Sequence, residues 1–281
     1  SVLFPNGTGA EQTSSSSQDL VEFNDNGFVV GTPYRASSSN NNGTNIVAWC
    51  WKAGGAAVTN TTGNISAQVS VNDEAGFSII TYTGDGNSSG NVGTGLRSTQ
   101  PLDWAIVKRR DNTSDWQLGH RASGQSSNFA YHTNLNDSSA LSGSAPYHMG
   151  TQSYTNGDRL YLATGGLTSS ATYVAYVWQE RPGYSKFGKY DSNESDNGPF
   201  VYLGFRPAWI LLKSIGNIFG GGSPFSGNWY IIDTSRDIDN PTTGTLAPPT
   251  DSGEDTAWPA SSPSHRSIAQ GFHPSHPLLS Y

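Results

Sequence analysis

One uninterrupted run of mostly apolar residues, Asn45–Lys52 (Asn-Ile-Val-Ala-Trp-Cys-Trp-Lys), stands out from the polar sequence around it. Successive side chains of a β-strand point to opposite faces, so both faces of this strand would be apolar. Such a strand is typical of a position covered on both sides, inside a sandwich or between subunits. The pattern returns at Thr172–Gln179 (Thr-Tyr-Val-Ala-Tyr-Val-Trp-Gln). The recurrence predicts a repeated structural unit organised around one buried strand.

Glycine, proline and tryptophan positions recur in the same order after both copies. After the first copy the order is Gly76-Phe77-Ser78, Gly95-Leu96-Arg97, Pro101, Trp104–Lys108 and Trp116–Leu118. After the second copy it is Gly183-Tyr184-Ser185, Gly204-Phe205-Arg206, Pro207, Trp209–Lys213 and Trp229–Ile232, with an insertion that includes Ile218–Phe225. The order fits two architectures: one β-sandwich with internal pseudo-symmetry, or two tandem β-modules.

Arg97 and Arg206 occupy matching positions in this order, each two residues after a glycine and ahead of a proline and a tryptophan strand. We expect equivalent structural roles for them, because an arginine at a turn can stack on an aromatic ring or bind backbone carbonyls. The functional alternative is that these arginines bind an acidic glycan.

The alternation of apolar and polar residues predicts an all-β fold, a jelly-roll-like β-sandwich built from two related units. Glu and Lys are scarce, which argues against long helices, and we expect under about a tenth of the residues in helix. The predicted segments are a linker leading into a fibre (1–20), the first β unit (21–150), the second β unit (151–240) and an extended, proline-rich tail (241–281). The aromatic residues expected to form the structural core are Trp49, Trp51, Trp104, Tyr176, Trp178 and Trp209. Of these, we expect Trp49 or Trp51 to be largely buried.

The composition narrows the functional classes. Charged residues make up 13% of the chain, about half the usual share. The net charge is −7 and the longest basic run is Lys108–Arg110, which disfavours nucleic-acid binding. No stretch approaches the apolar length of a membrane span. The lone cysteine, Cys50, is expected to be buried in its strand, and a secreted eukaryotic β protein of this size would usually carry disulfides. This favours folding in a bacterial cytoplasm and use outside it, as for a virion component.

Several of these motifs together resemble a known family. They are Val47–Gly54, Gly76–Gly84, Pro182–Gly188, Gly198–Tyr202 and Gly204–Pro207. The combination resembles an uncharacterised β-rich domain of tail-fibre-like and other structural proteins of aquatic (marine and cyanobacterial) bacteriophages, over about residues 21–245. The resemblance implies a virion or extracellular location, other virion proteins as partners, and no known catalytic residues. The chain departs from that family where a further strand is expected after the second unit and a tail rich in Pro and His stands instead.

Little in the sequence points to chemistry. A glycosidase needs two placed carboxylates, and only Glu180 ends a predicted core strand, where a structural charge beside Arg181 is the simpler interpretation. No Gly-x-Ser-x-Gly motif and no zinc-type His/Cys spacing is present. Two weaker metal signals, interpreted as solvated histidines and a turn, are His265, His273 and His276, and the calcium-loop-like Asp191, Asn193, Asp196 and Asn197. We therefore expect no enzymatic activity, no cofactor and no metal.

Three functional hypotheses follow. The first is a homo-oligomeric virion or fibre protein, a trimer or a filament, that contacts a host-surface polysaccharide and whose residues 1–20 or 240–281 cross to another subunit. The second is a carbohydrate-active enzyme such as a depolymerase, and the third is a free lectin-like module. Aromatic residues in two irregular regions are the candidate ligand-binding surface: Tyr131, His132, Tyr147, His148, Phe219 and Phe225. The alternative is that these side chains fold back over the ends of the sandwich.

Overall fold

The computed structural model describes residues 1–13, 20–32, 40, 42–43, 45–123, 129, 132–139, 141, 148–150, 154–191, 193, 198–215, 229–236, 246, 266–268 and 271–273. Apart from two 3₁₀ turns (Arg121–Ser123 and Thr164–Gly166), the named elements of this part are all strands. They are β1 (Leu20–Asn24), β2 (Gly27–Val30), β3 (Val58–Asn60), β4 (Ala67–Asn72), β5 (Phe77–Thr83), β6 (Ser89–Gly93), β7 (Trp104–Arg109), β8 (Gln117–His120), β9 (His132–Asn134), β10 (Arg159–Ala163), β11 (Thr172–Trp178), β12 (Val201–Tyr202), β13 (Trp209–Lys213), β14 (Trp229–Asp233), β15 (Arg266–Ile268) and β16 (Gly271–His273). The predicted all-β fold is confirmed.

A seven-stranded antiparallel sheet lies at the centre, in the order β3-β4-β5-β11-β7-β8-β9. β11 is its middle strand and pairs with β5 on one side and β7 on the other. Its alternating side chains serve both faces: Tyr173 and Val177 pack into one apolar cluster, and Trp178 packs into another. The prediction of a strand covered on both faces is therefore confirmed for Thr172–Trp178.

Smaller sheets cover the two faces of the central sheet. On one face, Leu160 and Leu162 of β10 and Val92 of β6 are fully buried in the first cluster. On the other face, the second cluster is aromatic and includes Trp229 of β14 and Leu211 of β13. The fold thus has three layers, with the β6–β10 pair and the β13–β14 pair on opposite faces of the central sheet.

The predicted repeat has a backbone counterpart. Gly76 and Gly183 open matching motifs and have φ values of +66° and +76°. Gly95 and Gly204 open the next pair of motifs and have φ values of +76° and +85°. Because residues with a Cβ rarely adopt this left-handed region, each glycine is required by its turn. The two units therefore share the same two turns at the same places in the sequence.

The hairpins β7–β8 and β13–β14 also match. Trp104 pairs with His120 in the first hairpin, as Trp209 pairs with Asp233 in the second. In each hairpin a tryptophan stands at the start of the second strand: Trp116 just before β8 and Trp229 at the first position of β14. The indole N–H of each donates to two backbone carbonyls of a turn. Trp116 Nε1 donates to the carbonyls of residues 4 and 7 at 3.0 and 3.2 Å, and Trp229 Nε1 donates to those of residues 134 and 137, both at 3.2 Å.

A matched lysine supports each of these turns. Lys108 is fully buried, and its Nζ donates to the carbonyls of Thr8 (3.2 Å) and Arg109 (2.9 Å). Lys213 donates to the carbonyl of Ser139 at 2.8 Å and lies 4.8 Å from the centre of the Trp229 ring. Burial lowers the pKa of both amines, that of Lys213 to about 8. The carbonyls and the ring provide the partners that a buried cation needs.

The described part of the predicted N-terminal linker packs against the central sheet. Val2 and Gln12 form a β-bridge, and Glu11 forms an ion pair with Arg110 at 2.5 Å. The Glu11 N–H also donates to the Arg110 carbonyl at 2.7 Å, and the Ser114 N–H donates to the Thr8 carbonyl. Together with the Trp116 indole, these bonds close residues 2–12 into a loop fastened to the ends of β7 and β8. We call this loop the N-terminal clasp.

The first copy of the repeated strand departs from its prediction. Asn45–Lys52 forms no strand and no backbone ladder, so the interpretation as a strand covered on both faces is wrong for this copy. Trp49 is half-buried, Trp51 is 40% exposed, and Cys50 is exposed rather than buried. The physical reason is the absence of flanking strands in this part of the structure, since the second copy owes its burial to β5 and β7. Of the other four predicted core residues, Trp104 and Trp178 are buried, and Tyr176 and Trp209 are half-buried.

Candidate functional site

The structure places two of the six predicted ligand-binding residues. Tyr131, Tyr147, Phe219 and Phe225 lie outside the described residues. His132 is half-buried in β9, and His148 is only 3% exposed. The expectation of an exposed contact surface is therefore wrong at His148, which folds back onto the sheet instead.

Two backbone hydrogen bonds to one side-chain oxygen hold the His148 segment against β8. Its backbone N–H and that of Met149 both donate to Gln117 Oε1, at 2.5 and 3.3 Å. The ring Nε2 lies 3.2 Å from the Ser114 hydroxyl. A serine beside a histidine is the beginning of a nucleophile–base pair. Burial, however, lowers the pKa of His148 to about 4, which leaves a weak base at neutral pH, and the contact is better explained as structural.

A different group of aromatic residues reaches solvent. Four large aromatic side chains between residues 184 and 202 are exposed: Tyr184, Tyr190, Phe200 and Tyr202. Tyr202, in β12, is the most exposed of them at 64%. Its hydroxyl lies 3.8 Å from the place that a Cβ on Gly204 would occupy, so its ring lies beside the left-handed turn that leads to Arg206.

Arg206 lines an open pocket together with Pro207, Ala208 and Thr234. We call Tyr202 and this pocket the Tyr202–Arg206 patch. An exposed ring offers a flat apolar face with a polar edge, and a guanidinium offers a planar set of hydrogen-bond donors. This combination suits a ligand with apolar faces and many acceptor oxygens, as sugars have. Tyr202 is not among the residues predicted from sequence to bind a ligand; it stands two residues before Gly204, where the first unit has Gly93 before Gly95.

The expected equivalence of Arg97 and Arg206 holds for the backbone turn and fails for the side chains. Arg97 Nε donates to Asp73 at 2.7 Å, whereas Arg206 is exposed at the patch. Counting from Gly76 and Gly183, the residue that matches Asp73 is Glu180, and its carboxylate binds Lys186 at 2.6 Å. Both arginines are exposed, and they differ in that Arg97 is paired with Asp73, while no ion pair of Arg206 is seen among the described residues. Glu180 itself is a paired strand-end charge.

The hairpin β1–β2 exposes apolar side chains on both of its strands. Its six exposed apolar side chains are Leu20, Val21, Phe23, Phe28, Val29 and Val30. Phe23 is the most exposed of them, at 80%. A two-stranded hairpin is at best marginally stable alone in water, and apolar clusters of this kind mark interaction surfaces. We call this element the N-terminal hairpin.

The two weak metal signals gain no support from the described residues. Within this part of the chain no three His, Cys, Asp or Glu side chains come close enough together to hold a metal ion. Asp191 and Asn193 are exposed, while His265, His276, Asp196 and Asn197 lie outside the described residues. For His273 the description covers the backbone strand alone. None of the described segments forms a helix long and apolar enough to cross a membrane.

Comparison with known proteins identifies a family without a known activity. Neither the curated proteins nor the solved structures contain a match. A family profile described as a domain of unknown function (DUF7483) matches residues 1–266. The chain therefore belongs to this family, the domain of unknown function DUF7483.

Proposed function

We propose that the protein is a non-enzymatic structural protein of a bacteriophage virion, a fibre component that works outside the cell as a homo-oligomer. The motif resemblance to phage structural proteins provides the biological context. The observation that carries the proposal is the N-terminal hairpin, whose apolar side chains are exposed on both strands. A free protein rarely leaves such a surface open to water, so a second chain is the natural cover.

Composition supports assembly. With 13% charged residues, the chain has few of the charges that keep sheet edges apart in monomeric β proteins. Identical subunits usually associate symmetrically, either closing into a ring such as a trimer or continuing as a filament. Both forms suit a fibre.

Light scattering of the full chain tests this proposal. We expect a species larger than the 29.9 kDa chain at micromolar concentration, and a shift to the monomer in the Phe23→Ser, Phe28→Ser double variant. The control is Tyr184→Ser, which removes an exposed aromatic (59%) outside the hairpin and should leave the assembly unchanged. A wild-type protein that stays monomeric at high concentration would refute the assembly.

We also propose the Tyr202–Arg206 patch as the place where the fibre contacts host-surface glycans. On a glycan array, Tyr202→Ala should lower the signal about twofold to tenfold, because an aromatic contact contributes about 0.5–1.5 kcal/mol. The control is Arg97→Ala, which changes the matching turn of the first unit. Equal binding by wild type and Tyr202→Ala would exclude this patch.

Glycan binding by a strict monomer would favour the free lectin-like alternative, and release of sugar fragments would favour the depolymerase.

A further inference from the structure

The two arginines of the repeat differ in their partners. Arg97 Nε donates to Asp73 Oδ2 at 2.7 Å, and the Arg97 side chain is 47% exposed. Arg206, at the matching turn of the second unit, is exposed as well, but no ion pair or hydrogen bond of its guanidinium is seen among the described residues. The first unit thus shows that an exposed guanidinium at this turn can bind a carboxylate, and the second unit presents the same group without that partner.

The backbone around Arg206 is restricted on both sides. Gly204 has a φ of +85°, in the left-handed region. Pro207 is buried, its ring fixes its own φ, and it confines the preceding residue, Arg206, to extended conformations. Because the backbone is held in this way, a ligand that binds the guanidinium orders the side chain alone, and less entropy is lost on binding.

Arg206 borders an open pocket of about 330 Å³, whose other lining residues are Pro207, Ala208 and Thr234. This volume lies at the lower end of the range for small-molecule sites, about 300–1,000 Å³. The Thr234 N–H donates to the Ala208 carbonyl at 3.0 Å, so two sides of the pocket are joined through the backbone. The side chains that line the pocket therefore offer a ligand one guanidinium and one hydroxyl beside the apolar surfaces of Pro207 and Ala208.

The charges around this pocket favour an anion. The charged residues in the described ranges 204–215 and 229–236 are Arg206, Lys213, Asp233 and Arg236. The single acid among them, Asp233, is 4% exposed, and its carboxylate accepts from Arg236 Nε at 2.7 Å and from Trp49 Nε1 at 3.2 Å. The described part of the hairpin β13–β14 is therefore a positive region in a chain whose net charge is −7.

We propose that the Tyr202–Arg206 patch selects acidic glycans, in which Arg206 binds a carboxylate on a sugar ring and Tyr202 packs against the glycan. This inference rests on the proposed glycan contact and deepens it by naming the class of sugar. A guanidinium binds a carboxylate through two parallel, charge-assisted N–H donors, and it binds the hydroxyls of a neutral sugar through weaker single bonds. Uronic and sialic acids carry a carboxylate of this kind.

The test compares each acid with its own methyl ester, which keeps the sugar and removes the charge. The probes are short oligomers of galacturonic acid, short oligomers of mannuronic acid, and sialyllactose, each beside its methyl ester. Binding to the full chain is measured by isothermal titration calorimetry. We expect the wild type to bind at least one acid about threefold to tenfold more tightly than its ester, a ratio between the value of an exposed ion pair and that of a hydrogen bond to a charged group.

Two matched variants assign this preference to one residue. Arg206→Gln removes the charge from the pocket and should bind each acid and its ester alike. Arg97→Gln removes the same group from the matching turn of the first unit and should keep the wild-type preference. Because both arginines are exposed, both variants are expected to fold, and circular dichroism checks this.

The outcomes separate this inference from the proposed function. Equal binding of acids and esters by the wild type overturns the selection of acidic glycans, and the proposed glycan contact still stands where Tyr202→Ala weakens binding. A preference for the acid that persists in Arg206→Gln overturns the assignment to Arg206. Binding of sulfated or neutral glycans from an array, with none of the carboxylate probes bound, overturns the choice of carboxylate. A chain that binds no glycan at all refutes both the contact and its selectivity.

Discussion

Truncating Trp178 to alanine is expected to lower the free energy of unfolding by about 3–5 kcal/mol, the range for a large aromatic removed from a packed core. Trp178 is the meeting point of the aromatic cluster: its ring stacks on Trp104 at 4.2 Å and lies 5.0 Å from Phe77. Its loss leaves a cavity between the central sheet and β13–β14 that the rigid strands cannot close. Urea denaturation, followed by tryptophan fluorescence and circular dichroism, measures the change.

The matched control for this prediction is Trp51→Ala, because Trp51 stands at the same place in the repeat and differs in its surroundings. Its ring is 40% exposed, so the expected loss is about 1 kcal/mol, a typical value for a point substitution. Equal losses from the two substitutions would show that Asn45–Lys52 is packed as tightly as β11. That result would show that Asn45–Lys52, although it forms no strand, buries Trp51 as effectively as β11 buries Trp178.

Replacing Arg181 with methionine is expected to cost about 1–3 kcal/mol, since it leaves partly buried acceptors without their donor. The side chain of Arg181 is 7% exposed. Its guanidinium donates to the Asp73 carbonyl (2.7 Å) and carboxylate (3.1 Å), to Gln100 Oε1 and to Gln179 Oε1. Without it, these acceptors would be left around an apolar side chain beside the left-handed turn at Gly76. Chemical denaturation again gives the value.

Arg97→Met is the control, because Arg97 binds the same carboxylate from the solvent side. Its side chain is 47% exposed, and exposed ion pairs contribute about 0–1 kcal/mol. Both arginines bind Asp73, but only Arg181 is buried. Comparing the two variants therefore separates the effect of burial on stability from the effect of the charge. A larger loss for Arg97→Met than for Arg181→Met would mean that the network depends on the exposed pair.

The strand pattern was predictable from sequence, because alternation and β-branched or aromatic residues report what a strand must bury. β11 and the hairpins β7–β8 and β13–β14 follow this rule. The failure at Asn45–Lys52 has the same source. Apolar residues on both faces show that a strand needs neighbours, while the identity of those neighbours depends on contacts far along the chain.

The candidate site was harder to predict for the same reason. His148 is buried because Gln117, a residue 31 positions earlier, accepts its backbone N–H. Arg97 is paired because Asp73, a residue 24 positions earlier, lies within reach of its guanidinium. No local pattern contains either fact. By contrast, the four glycines of the repeat were visible in sequence as recurring positions, and all four adopt the left-handed conformation that few other residues can take.

The N-terminal clasp determines how a pulling force at Ser1 enters the fold. A pulling force at Ser1 first loads the bonds that fasten residues 2–12, which are the bridge from Val2 to Gln12, the Trp116 indole and the Glu11–Arg110 pair. These bonds lie one after another along the pulled chain and end beside β7 and β8, the fifth and sixth of the seven strands of the central sheet. Tension is thereby passed into the seven-stranded central sheet before it reaches the rest of the chain.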